Sequence, residues 1–158
     1  PTGYTRLEGG ATYRLPLFAL RSLFFRVGAG VYTRREKNCF LDYDYFRYSY
    51  LPTGWNDELS GQFQLLDSHW YNEARSYVLT TTAYESPMLL VSRLPFLTRA
   101  VRTERLYVNL LHLSTLGYYT EWGYGIATPL LDAAAFVAFA GSRQSGLGVK
   151  FVFHLFDY

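Results

Sequence analysis

Leu147-Gly148-Val149-Lys150-Phe151-Val152-Phe153-His154-Leu155-Phe156 is the stretch whose reading sets the fold. Leu147, Val149, Phe151, Phe153 and Leu155 share one parity, whereas Gly148, Lys150 and His154 share the other. Side chains alternate faces along a strand, so this is a strand of about ten residues with one greasy and one mixed face. About ten tilted residues make one crossing of a bilayer. A last alternating strand with aromatics near its end is also how outer-membrane barrels usually finish. The solvent on the greasy side is therefore read as lipid.

The same pattern recurs upstream. Tyr4 to Leu15 sets Leu7, Gly9, Ala11, Tyr13 and Leu15 against Arg6, Glu8, Gly10, Thr12 and Arg14. Ser22 to Thr33 sets Leu23, Phe25, Val27, Ala29 and Val31 against Arg26, Gly28 and Gly30. Further strands are expected over 40–50, 58–67, 76–86, 105–113, 118–128 and 133–140. Residues 87–103 are the irregular piece, because Pro95 forbids a long helix, and an interfacial turn with a helical start is expected there. The expectation is an all-β, antiparallel up-and-down transmembrane barrel, or the C-terminal half of a larger one, with about nine strands. Single-chain bacterial barrels have even strand counts, and the chain opens at Pro1 with neither Met nor signal peptide. Residues 1–158 are thus expected to be one barrel segment, a fragment of a larger barrel.

Composition narrows the classes. Aromatics reach 19% of the 158 residues while charged residues are 18%, low against the roughly 25% of soluble domains. Lys37 and Lys150 are the only lysines beside a large excess of Arg, which suits fixed hydrogen-bonded networks better than a solvated surface. A net charge of +2 without a basic run gives no nucleic-acid footprint. A lone Cys39 excludes an internal disulfide and a cysteine metal cage. No apolar run is long enough for a spanning helix.

Periodicity cannot distinguish inside from outside, so the mixed face must decide between a membrane barrel and a soluble one. A soluble barrel should show Lys and Glu there; this chain shows Gly28, Gly30, Gly123, Gly125 and Thr12 with isolated charges. Arg6, Glu8, Arg14, Arg26, Glu121 and Lys150 all fall on that face and are expected to form a lumen polar network, with Arg105 or Lys150 as the partner of Glu121. Glu121 could alternatively touch a substrate or a plug. A one-residue register slip would turn these charges to lipid, at roughly 2–4 kcal/mol for each Arg or Lys near the midplane. Tyr32, Trp70, Tyr118 and Trp122 are expected in aromatic girdles. With the C-terminal strand ending in the periplasm, connections 16–21, 51–57, 87–103 and 129–132 lie on that side. Those at 34–38, 68–75, 114–117 and 141–145 lie outside.

Read in order, Phe63-Gln64-Leu65-Leu66-Asp67, Tyr77 to Glu85, Leu89 to Leu97, Tyr118 to Ile126 and Gly148-Val149-Lys150-Phe151 resemble a known family. It is the C-terminal barrel of outer-membrane proteins that carry an N-terminal carboxypeptidase-regulatory-like domain, a family of unassigned function. The resemblance covers roughly residues 58–156; the Tyr-dense stretch 40–50 departs from the Asn/Gly-rich pattern expected there. It implies a larger barrel, of about twice this many strands, distantly similar to outer-membrane assembly and translocation barrels. The regulatory-like domain would be a sandwich lying upstream, without peptidase activity. The resemblance supplies no catalytic residues.

The residues themselves suggest no enzyme. Asp67-Ser68-His69 sets hydrolase residue types side by side, but chain neighbours seldom form a triad. His69, His112 and His154 show no metal-ligand spacing, and His154 reads as a lumen filler. Gly123-x-Gly125 lies in a strand with no following helix, which makes a phosphate cradle a poor fit. No catalytic residue, metal or cofactor is expected. Phe151, Phe153, Leu155 and Phe156 are expected to serve as an assembly signal. The expected role is non-enzymatic, in envelope assembly, transport or complex formation in the cell outer membrane. Expected partners are outer-membrane lipid and lipopolysaccharide, the barrel-assembly machinery, other outer-membrane proteins and an N-terminal part of the same protein. The alternatives are a barrel enzyme acting on lipid and a soluble lipid-binding barrel.

Overall fold

The computed structural model describes residues 5–33, 59–67, 75–93 and 99–154. Seven strands form one antiparallel sheet in sequence order: β1 (Thr5–Leu17), β2 (Arg21–Thr33), β3 (Ser76–Ser86), β4 (Thr103–Leu113), β5 (Gly117–Ala127), β6 (Leu131–Ala140) and β7 (Arg143–Phe153). Each strand pairs with the next, so the up-and-down order expected from the sequence holds. Closed hairpins explain it. Gly117 and Gly141 take the left-handed conformation that tight turns need, with φ of 86° and 62°. Ala19 and Leu20 adopt the same region in the β1–β2 turn, where a glycine would be easier.

Two expectations about strands need correction. Residues 59–67 form turns and bends, and Gly61 has a φ of 74°, which breaks an extended run. The stretch 40–50 lies outside the described residues. Seven strands, not nine, are therefore present among the described residues. Residues 34–75 separate β2 from β3 in sequence, and the expected turn at 51–57 lies outside the described residues. Residues 87–93 contain a 3-10 turn over Val91–Arg93, within the stretch 87–103 where a turn with a helical start was expected.

The register puts Ala11, Val27, Thr80, Leu110, Thr120 and Phe139 in one row across the sheet, on the apolar face. The next row, on the mixed face, holds Gly10, Gly28, Leu79, Leu111, Tyr119 and Ala140. The core sits on the mixed face. Tyr77, Leu79, Tyr107, Leu111, Tyr119 and Phe136 are buried there, and Leu59, Phe63 and Leu66 of the β2–β3 connection lie against them. Phe63 meets Tyr119 edge-on, with ring centroids 5.8 Å apart, and Tyr107 packs on Phe136 at 5.3 Å.

Glycines on this face make room for rings. A β-carbon at Gly123 would lie 2.4 Å from the Phe136 ring, and one at Gly30 would lie 2.3 Å from the Tyr77 ring. These are small-against-large contacts across neighbouring strands, which fill the space as native cores do.

The apolar face is bare. Leu147, Phe151 and Phe153 are between 58% and 73% exposed, and Val27, Val31, Val78, Leu106, Leu110 and Trp122 are exposed too. A contiguous apolar sheet face of this extent is foreign to a water-facing surface. β1 and β7 form the two edges, and every residue of β1 is exposed.

Candidate functional site

The mixed face carries its polar groups in separate clusters. Glu8 is held by three strands at once: it pairs with Arg6 on its own strand and accepts hydrogen bonds from the hydroxyls of Tyr32 on β2 and Tyr77 on β3, the latter at 2.9 Å. The guanidinium of Arg6 also lies over the Tyr32 ring, 5.6 Å from its centroid. Tyr32 is thus a buried anchor and not a girdle residue. Arg14 stacks over Phe24 at 4.9 Å.

At the opposite end of the same face, Arg105 donates to Glu85 through Nε and to Asp132 through Nη1, both at 2.9 Å. His154 Nε2 lies 3.3 Å from the other Asp132 oxygen. Arg105 reaches β6 across β5 because its register partner there is Gly125. Arg102 and Thr103 complete a polar recess of about 310 Å³ with these residues. The cluster ties β3, β4, β6 and β7 together.

Glu121 is the centre of the third group. It is fully buried on β5, and no cation meets it among the described residues. The backbone N–H of Gln64 donates to it at 2.9 and 3.1 Å, and that of Leu65 at 2.8 Å. Asn109 Nδ2 donates at 3.0 Å and the Tyr119 hydroxyl at 3.1 Å. Asn109 Nδ2 also donates to the carbonyl of Gln62 at 3.1 Å. The expectation that Arg105 or Lys150 neutralises Glu121 is corrected, because Arg105 is taken by Glu85 and Asp132. Main-chain amides stabilise this anion, and each charge-assisted bond outweighs a neutral one. The side chain of Leu65 then drops toward β7. A β-carbon at Gly148 would stand 2.6 Å from Leu65 Cδ2, so glycine is what lets the segment lie this close.

Among the described residues, the other face holds one buried carboxylate, which the sequence reading missed. Glu104 shares its parity with Leu106, Val108 and Leu110, yet it is fully buried. The N–H groups of Leu89, Leu90 and Val91 donate to it, the first two at 2.6 and 2.8 Å, and the Tyr124 hydroxyl donates as well. Residues 88–91 thereby fold over the rim of the apolar face, with Met88 and Leu90 exposed. A lone acid among apolar neighbours on one parity was the available signal for it.

The six charged residues expected to line one face do share it, but among the described residues they do not join into one network. Lys150 stands on the edge strand opposite Ala134. Phe151 and Phe153 point to the apolar side; Leu155 and Phe156, like Trp70, His69 and Ser68, lie outside the described residues. Trp122 is on the apolar face but at mid-strand, not at a strand end. Tyr118 is exposed near a strand end and stacks on His112 at 4.2 Å. No group of three or more metal-ligating side chains exists among the described residues.

No curated protein and no solved structure matches the chain. A family of unknown function, DUF5686, matches through its C-terminal domain over residues 2–126. That span includes β1 and β2, upstream of the stretch on which the sequence resemblance rested, and stops within β5. The chain belongs to the C-terminal domain of this family of unknown function, DUF5686.

Proposed function

We propose that this domain is part of the wall of a transmembrane antiparallel β-barrel in the bacterial outer membrane. Its role there is non-enzymatic, in envelope assembly, transport or complex formation. The observation that carries the reading is the bare apolar face opposite a covered polar one. In water the apolar groups would be the ones to bury; lipid reverses that preference. Strand lengths of 10 to 13 residues suit one tilted crossing.

The edges extend the argument. β1 and β7 each pair on one side only among the described residues, and unpaired strand edges are not tolerated in hydrocarbon. Further strands therefore close the sheet, in a barrel larger than these seven. The resemblance to outer-membrane proteins with a carboxypeptidase-regulatory-like domain agrees with this and supplies the expected upstream partner. Lipid and lipopolysaccharide contact the apolar face, and the barrel-assembly machinery inserts it.

Extraction tests the reading. Expressed with the rest of its natural chain, the protein should stay in the membrane pellet through alkaline and urea washes and leave it only with detergent. Release by the washes alone would overturn it and favour a soluble lipid-binding barrel.

A further inference from the structure

We propose that Glu121, Asn109 and Tyr119 form a receptor for a bent polypeptide backbone, which residues 59–67 occupy in cis and a second polypeptide segment of the same chemistry can enter in their place. The proposal concerns the covered face and does not depend on what lies against the apolar one.

The site reads main chain. Glu121 takes two consecutive N–H groups, and Asn109 gives an N–H to the carbonyl two residues earlier. None of these contacts depends on which side chain the bound segment carries at position 64. Selectivity comes from the flanks: Phe63 sits on Tyr119, Leu66 is buried, and Leu65 fits over Gly146 and Gly148. The ligand class is thus a bent peptide with large apolar residues on both sides of two free amides.

A segment meant only to fill space would not need this acid. A fully buried carboxylate without a cation costs stability, and apolar packing would hold a filler as well or better. The segment adds no strand to the sheet. What removal would leave is an anion that must find donors again. A second peptide backbone supplies them in the same geometry.

The experiment uses the full natural chain with Cys39→Ser and a fluorescent synthetic peptide of the sequence of residues 59–67. In one variant residues 62–66 are replaced by alternating Gly and Ser; in another, Leu65→Cys and Gly146→Cys are combined. The β-carbon of Leu65 stands 3.7 Å from where a β-carbon at Gly146 would be, within disulfide range. The emptied variant should bind the peptide saturably. Glu121→Ala in that background, or N-methylation of the peptide at the two amides, should weaken binding about ten- to a hundred-fold. In the double-cysteine protein, the peptide should bind less after oxidation than after reduction. Absence of binding to an emptied variant with native strand content would overturn the proposal. So would loss of that strand content on emptying, which would make the segment an integral part of the core, or equal peptide binding by the double-cysteine protein before and after reduction.

Discussion

Tyr77 lies directly across Gly30: a β-carbon there would stand 2.3 Å from Cε1 of the ring and 2.9 Å from Cζ. That close approach lets the Tyr77 hydroxyl pass over β2 and reach Glu8 on β1, at 2.9 Å. One missing side chain thus allows a three-strand polar tie. Gly30→Ala should force the ring away and break the tie, lowering stability by about 2–3 kcal/mol through overpacking and a lost charged hydrogen bond. In a Tyr77→Ala background the same change should cost little, a non-additivity that unfolding of the four proteins in urea would display. Additive losses would show that Gly30 matters for another reason.

Glu104 holds the 88–91 turn by three main-chain amides. Glu104→Gln keeps the shape but sets an amide donor among donors, so the turn should loosen while the sheet stays. Hydrogen exchange at Leu89, Leu90 and Val91 should accelerate about ten- to a hundred-fold, with β3 and β4 unaffected. Unchanged protection of those amides would mean that packing of Val91 alone holds the turn.

The strands were legible in the sequence where one parity was purely apolar. β1, β2 and β7 show this, since Leu7 to Leu15, Leu23 to Val31 and Leu147 to Phe153 keep one parity free of charge. The stretch 58–67 misled for a physical reason. Phe63 and Leu65 alternate with Gln62 and Gln64 as they would in a strand, but the amides of Gln64 and Leu65 go to a side chain carboxylate instead of a neighbouring backbone. Alternation reports side-chain environment and is blind to where the main-chain hydrogen bonds go. Glu121 was readable as a buried acid in need of donors, and a plug contact was among the alternatives. Its main-chain donors were not readable, because they belong to a residue pair more than fifty positions away and to peptide groups that every residue has. The same blindness hid Asp132 and Glu85, which Arg105 joins across strands not adjacent in sequence.

The terminal aromatics are expected to do more than pack. On the proposed membrane-barrel reading, Phe151→Ala removes an exposed-face side chain and forfeits on the order of 1.5–3 kcal/mol of apolar contact, a loss that a barrel closed by many strand pairs would absorb. Phe156→Ala should lower the amount inserted by more, although both proteins unfold alike once in the membrane. Pulse-labelled insertion compared with unfolding of inserted protein separates the two effects. An insertion rate that follows stability alone across both variants would contradict the signal reading.

Trp122 is half-exposed in the middle of β5 on the apolar face and is the direct reporter of the solvent there. With Trp55 and Trp70 replaced by Phe, the protein is reconstituted in bilayers whose acyl chains carry bromine at mid-chain, and Trp122 emission is recorded. Strong quenching by brominated lipid with little quenching by aqueous iodide is the predicted result. Quenching by iodide and none by the lipid bromines would contradict the assignment of that face to the membrane.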